Sequence, residues 1–320
     1  MTERAPDETR VFVIPMRTRF RGQTRREGVL LRGPAGWGEF SPFPEYGPAE
    51  CARWLAAARE SAFDGWPPPV RDRVPVNVTV PAVGPEAARA IVARGGCRTA
   101  KVKVAERGQA DADDIARVEA VRDAIGPSGK VRIDVNGGWE VDHAARMITR
   151  LSRYDLEYVE QPCATLEELA ALRRRVEVPL AADESIRRAD DPLRVRAAGA
   201  ADIVVLKVQP LGGVGAALRV AEACGLPVVV SSAVDTSVGI AAGVALAAAL
   251  PELPYACGLA TVQLLEGDVV TDPLLPEGDG ALPVRRPRPD AALLDHYAAP
   301  DPSAWLARMG AAGAALEAAA

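Results

Sequence analysis

Three segments of the chain place an acid where a strand would end. They are Ile133-Asp134-Val135-Asn136, Val159-Glu160-Gln161-Pro162 and Ala182-Asp183-Glu184-Ser185. Lysines mark two more, Lys101-Val102-Lys103 and Val205-Leu206-Lys207-Val208. If these are neighbouring parallel strands, about 4.8 Å apart, Asp134, Glu160 and Asp183 converge on one point. Three anions in a partly buried pocket repel one another unless a cation sits among them. Oxygen ligation without His or Cys suits a hard ion, and an incomplete protein shell favours Mg2+ over Ca2+. Core salt bridges to the lysines are the plainer account of any single acid. Three acids in register favour the shared metal.

On strands two and six of an eight-membered ring, Lys103 and Lys207 face each other across its mouth. A carboxylate substrate held by the metal then lies between them, with one amine on each face of its α-carbon. Period-two alternation points Lys101 inward below Lys103. Its charge and that of the metal lower the pKa of Lys103, making a neutral amine available as base. The metal takes up the charge that builds as the α-proton leaves. Any one of these lysines alone reads equally well as a solvated rim charge.

The elements that must position these groups are legible as an alternation. Short runs rich in β-branched residues occur at 75–80, 99–104, 131–135, 157–160, 180–183, 203–208, 227–231 and 255–259. Amphipathic stretches separate them, such as Ile115, Val118, Val121 and Ile125, or Leu166, Leu169, Leu172 and Val176. Eight β–α units predict an α/β fold closed into a (β/α) barrel. An open doubly wound sheet is the alternative, but no GxGxxG follows any strand to support a dinucleotide version. Residues 1–73 differ: strands are expected at 9–16, 28–32 and 37–40 and one helix over 48–63. A Pro-rich linker at 64–69 follows. This predicts an α+β capping domain at 1–73, a barrel carrying the site at 74–272, and a tail at 273–320 that returns to the cap.

Composition narrows the function classes. Hydrophobic residues are 48% and charged residues 25%, with a net charge of −5, so nothing points to nucleic acid. The longest apolar run, 238–250, is short of the roughly 20 residues that cross a bilayer and reads as a buried helix. The polar segment 1–10 lacks the apolar core of a secretory signal, which predicts a cytoplasmic enzyme. Five cysteines stand singly, without CxxC spacing, and read as free thiols. Only His143 and His296 are present, which argues against histidine-based catalysis.

Together, Lys-Val-Lys, Asp134 with Asn136, Val-Glu-Gln-Pro, Ala-Asp-Glu-Ser and Lys207 resemble the muconate-lactonizing-enzyme subgroup of the enolase superfamily. The resemblance runs along nearly the whole chain. It includes Gly36-Trp37-Gly38-Glu39-Phe40-Ser41-Pro42-Phe43, similar to the capping-domain loop, which is expected to close over the barrel mouth. It also includes Ser231-Ser232, the segment Asp235-Thr236-Ser237-Val238-Gly239, and Cys257-Gly258-Leu259. The superfamily's chemistry, a Lys or His base working with magnesium, is then implied here. Asp134, Glu160 and Asp183 bind Mg2+, Lys103 is the base, and Lys207 stabilises the enediolate. Lys101, Asn136, Ser231, Ser232 and Gly258 contribute to substrate binding.

Within the subgroup the pattern resembles actinobacterial dehydratases of menaquinone biosynthesis, which convert a succinylated hydroxycyclohexadiene carboxylate to an aromatic acid. The expected partner is thus a small-molecule carboxylate, with no nucleic acid and no membrane. N-succinylamino-acid racemisation is the main alternative, since the same two lysines serve both faces. Another lyase or cycloisomerase, and a catalytically dead barrel acting as a binding module, complete the set. Dipeptide epimerases carry a DxD on strand eight, and 256–260 has no carboxylate. Mandelate-racemase-like members use a late histidine base, and neither histidine here fits.

Overall fold

The structure is a computed structural model in which residues 5–187 and 193–319 are described. The cap opens with an antiparallel sheet of β1 (Glu8–Phe20), β2 (Gln23–Gly33) and β3 (Gly36–Phe40). The first two strands are much longer than expected. Arg21 and Gly22, with φ of 50° and 77°, make a two-residue turn that suits the strand twist, so the ladder continues to Phe20↔Gln23. Helix α1 (Pro48–Arg59) starts with Pro at its first turn and ends in a π-helical turn, Glu60–Asp64. Gly65 then leaves at φ 80°.

Strand β4 (Arg73–Pro75) precedes the barrel strands β5 (Val78–Val80), β6 (Thr99–Lys103), β7 (Lys130–Asp134) and β8 (Leu156–Glu160). The ring continues with β9 (Leu180–Ala182), β10 (Ile203–Lys207) and β11 (Val228–Ser231). These seven are parallel and adjacent in sequence order from β5 to β11. Buried on both faces, they read as near-continuous Val, Ile, Leu and Ala. Outside them run α2 (Pro85–Gly95), α3 (Asp111–Ile125), α4 (Val141–Leu151) and α5 (Leu166–Arg173). The short turns α6 (Glu184–Arg187), α7 (Arg194–Ala197) and α8 (Val208–Leu211) lead to α9 (Val214–Cys224) and α10 (Ser237–Ala249). The apolar run expected as a buried helix is α10, enclosed through all but its last residue.

The expected strand at 255–259 is not formed. The eighth position is filled by two isolated parallel bridges, Val76↔Cys257 and Ser231↔Gly258, which close the ring. Cys257 N–H donates to the Pro75 carbonyl, Asn77 N–H to the Cys257 carbonyl, and Gly258 N–H to the Val230 carbonyl. The reason lies across the seam. The run expected at 75–80 is split, and β4 leaves the ring to pair with β12 (Ala281–Pro283), so residue 257 has only one bridging partner there.

The tail reaches the cap as α11 (Ala291–His296) and α12 (Ser303–Ala318). Val13 N–H donates to the Tyr297 carbonyl and Ala299 N–H to the Val11 carbonyl, so the tail lines the free edge of β1. Ala312, Trp305 and Met309 join a cap core with Phe40, Phe43, Trp54 and Leu55. None of the five cysteines is joined in a disulfide. Among the described residues no helix is long and apolar enough to cross a membrane.

Candidate active site

Barrel closure sets the depth of each polar side chain. Lys103 pairs with Asp134 across β6 and β7, Asp134 with Glu160 across β7 and β8, and Glu160 with Ala181 across β8 and β9. Asp183 follows two residues later, directly after β9. Lys207 ends β10 opposite Ser231. The three carboxylates are buried at the bottom of the mouth.

Each carboxylate is held by ammonium or guanidinium groups. Lys101 Nζ donates to both Glu160 oxygens at 2.9 Å and lies 3.3 Å from Asp134. Lys103 Nζ donates to Asp134 at 2.5 Å and to Asn136 Oδ1 at 2.7 Å. Asp183 accepts from Lys207 at 2.7 Å and from Arg187 at 3.1 Å. The core salt bridges that the sequence also allowed are therefore present. Burial alone would raise Asp134, but Lys103 and Lys101 overcome it and hold it well below the usual carboxylate range. Arg187 and Lys207 do the same for Asp183. Glu160 behaves oppositely: burial and repulsion from Asp134 and Asp183 push it up to about 7 despite Lys101. Burial, with Lys101 beside it, lowers Lys103 below an ordinary lysine.

Among the described residues no three His, Cys, Asp or Glu side chains already form a cage for an ion. The donor chemistry nonetheless suits one. Asp134, Glu160 and Asp183 supply hard anionic oxygens from the ends of three successive strands, and the raised Glu160 reflects burial together with repulsion that the lysines do not cancel.

Lys101, Lys103, Asp134, Asn136, Lys207, Ser231, Ser232 and Gly258 line one pocket, while Glu160 and Asp183 lie beneath it. Asn136 reaches Lys103 through Oδ1 and Glu184 through Nδ2, at 3.1 Å, from a left-handed backbone with φ 49°. Ser232 Oγ donates to the Gly258 carbonyl at 2.7 Å and meets Thr261 at 2.8 Å. A Cβ on Gly258 would stand 2.5 Å from Ser231 Oγ, so glycine keeps that hydroxyl's space open.

Sequence reasoning placed Phe43 in the loop expected over the mouth, but missed the rest of the roof and one cation. Phe20, Arg21 and Phe43 of the cap line the pocket, and Phe20 lies 5.4 Å from Lys103 Nζ. Phe20 and Arg21 were hidden because the hairpin tip read as a turn outside the strands. Arg187 clamps Asp183, Glu184 and, at 2.7 Å, the hydroxyl of Tyr46 from the cap. Its spacing of four from Asp183 was the available signal.

A second buried cluster joins cap to barrel. Glu39, Arg26 and Asp235 lie together, and burial with repulsion from Asp235 pushes Glu39 up to about 8.

A barrel with acids ending its third, fourth and fifth strands, opposed lysines on its second and sixth, and an α+β cap defines an enolase-type enzyme. Comparisons with known proteins agree. Residues 84–289 match the family described as enolase C-terminal domain-like, and residues 11–62 match enolase N-terminal domain-like. The o-succinylbenzoate synthase of Thermobifida fusca is 72% identical over 96% of each chain. That of Mycolicibacterium smegmatis is 56% identical over 93% of each. Muconate lactonizing enzyme from Pseudomonas fluorescens shares the fold, with a TM-score of 0.78 at 22% identity, covering 91% of this chain and 98% of its own. The chain belongs to the o-succinylbenzoate synthase family of the enolase superfamily.

Proposed function

We propose that this chain dehydrates 2-succinyl-6-hydroxy-2,4-cyclohexadiene-1-carboxylate to o-succinylbenzoate, as a cytoplasmic enzyme of menaquinone biosynthesis. The observation that carries the proposal is the pair of lysines from β6 and β10, four positions apart in an eight-position ring, lining one pocket together with Asp134 and next to the buried Glu160 and Asp183. The relatives' printed function supports the choice of substrate. Residues 1–73 and 273–320 act as the cap over the barrel of 74–272.

Asp134, Glu160 and Asp183 would hold Mg2+, which when bound neutralises charge developing on the substrate carboxylate. Lys103 takes the α-proton; its lowered pKa makes the neutral amine accessible. Asn136 orients Lys103. The same amine then gives the proton to the departing hydroxyl on the same face, so the C–H and C–O bonds break, water leaves and the ring becomes aromatic. Lys207 serves as the cation that stabilises the enediolate electrostatically. Ser231, Ser232 and Gly258 hold the succinyl arm, Lys101 secures Glu160, and Phe20 and Phe43 keep water out.

Racemisation of N-succinylamino acids is the second reading, favoured by the same opposed lysines. Incubating the protein with each substrate and Mg2+, with loss of diene absorbance and chiral analysis as readouts, separates them. Dehydration is expected. Racemisation without dehydration would overturn the proposal.

A further inference from the structure

The latch between cap and barrel has no part in the mechanism above. Glu39, near the end of β3, reaches the start of α10, about 200 residues later in the chain. Its carboxyl accepts from Thr236 Oγ1 at 2.5 Å, and from Thr236 N–H and Gly239 N–H at 3.1 Å each. The remaining donors of that helix start are taken by Asp268, which accepts from Ser237 N–H at 3.2 Å, and by Thr236 Oγ1, which accepts from Val238 N–H at 3.2 Å. Two acids from distant segments thus satisfy the otherwise unpaired N–H groups at the start of one buried helix.

The same cluster holds the roof of the pocket. Ser41 Oγ donates to Glu39 at 2.7 Å and accepts from Arg26 at 2.8 Å. Arg26 also donates to the Ser41 carbonyl, and to the Val234 carbonyl at 2.9 Å, and stacks 4.8 Å from the ring centre of Phe43. Val234 and Phe43 both line the pocket. Val234 has φ 63°, a conformation a β-branched residue adopts only when its surroundings impose it. The space is filled: a Cβ on Gly239 would stand 2.7 Å from Asp235 Cβ and 2.9 Å from Glu39 Oε2.

We propose that Glu39 is a positioning residue which, through Ser41, Arg26 and the start of α10, locks the loop 232–236 against the cap and so fixes the wall that receives the substrate's succinyl arm. Glu39 touches no reacting atom. Its loss therefore weakens substrate binding more than turnover. The inference rests on the proposed substrate for its kinetic arm only.

The test compares Glu39→Ala with Glu39→Gln in the Mg2+-loaded enzyme. Gln keeps an amide oxygen able to accept from Thr236 and Gly239, whereas Ala keeps none. Glu39→Ala is expected to raise KM at least about tenfold with kcat within about threefold, as the loss of hydrogen bonds to a buried carboxyl implies. Glu39→Gln is expected to recover most of that loss. Amide hydrogen exchange over 232–240 should quicken in Glu39→Ala and return towards wild type in Glu39→Gln. An unchanged KM with unchanged exchange, or a KM and kcat that fall together in both variants, overturns the proposal. If Glu39→Ala does not fold, Ser41→Ala replaces it with the same readouts. Exchange needs no substrate, and the wild-type turnover is its own control. A substrate misassignment would silence the wild type and leave the exchange result standing.

Discussion

Lys207 is the sharpest test of how the two amines divide the work. Replacing it with Met removes a positive charge, whereas replacing it with Arg keeps the charge but prevents proton transfer near neutral pH. The fold should survive both, because Asp183 retains Arg187 at 3.1 Å and is not left as an unpaired buried anion. A unit charge about 4 Å from a developing enediolate contributes about 4 kcal/mol at an effective dielectric constant of about 20. Lys207→Met should therefore lose roughly a thousandfold in dehydration rate. Moving the charge to about 6 Å, as the bulkier guanidinium requires, costs about 1.4 kcal/mol, so Lys207→Arg should lose only about tenfold. Initial rates with saturating substrate and Mg2+ give the comparison. Exchange of the α-proton of each N-succinylamino-acid enantiomer in deuterated water gives the second, and Lys207→Arg should lose it for one enantiomer. Equal losses in the Met and Arg variants would show that Lys207 moves a proton in the dehydration and would refute the electrostatic role.

Chelation should abolish turnover and Mg2+ should restore it, with the metal also raising the melting temperature because it binds only the folded carboxylate set; full activity after exhaustive EDTA would contradict the assignment. Gly258→Ala should raise KM about tenfold or more, since its Cβ falls 2.5 Å from Ser231 Oγ, and an unchanged KM would remove Gly258 from the binding wall. Glu39 is raised from 4.5 to about 8 by burial and by Asp235, against the pull of Arg26, so the folded chain holds its proton more tightly than the unfolded one. Its stabilising contribution is complete below about pH 4.5 and is lost as pH rises through about 8. The stability difference between wild type and Glu39→Gln in urea should accordingly shrink from pH 5 to pH 9, and a constant difference would count against the shift.

The floor of the candidate site was legible because its residues sit at the ends of β-branched runs. Asp134, Glu160, Lys103 and Lys207 each end a strand, and Asp183 follows one, so residue type and position together state their depth. The loop carrying Phe43 was legible as a cover, but the hairpin half of the roof was not. Gln23–Gly33 begins with polar residues that read as a turn, and only pairing with β1 makes them a strand. Glu39 and Thr236 are far apart in sequence, and no local periodicity announces such a partner. The seam failed for a similar reason: the run at 255–259 has strand-like residues, but β12 draws β4 out of the ring.

That seam has a mechanical consequence. From Lys103 on β6 to Lys207 on β10, one way around the ring passes through continuous parallel ladders. The other way passes through Cys257 and Gly258, held by single bridges and by Arg132, which donates to the Ala256 carbonyl at 2.7 Å. The ring is therefore stiff along one arc and compliant along the other. Changes in its girth are absorbed beside Ser231 and Gly258, on the side proposed to take the substrate's arm, while the spacing of the acids on β7 and β8 stays fixed. Divergence in substrate shape has a place to accumulate there without disturbing the carboxylate set.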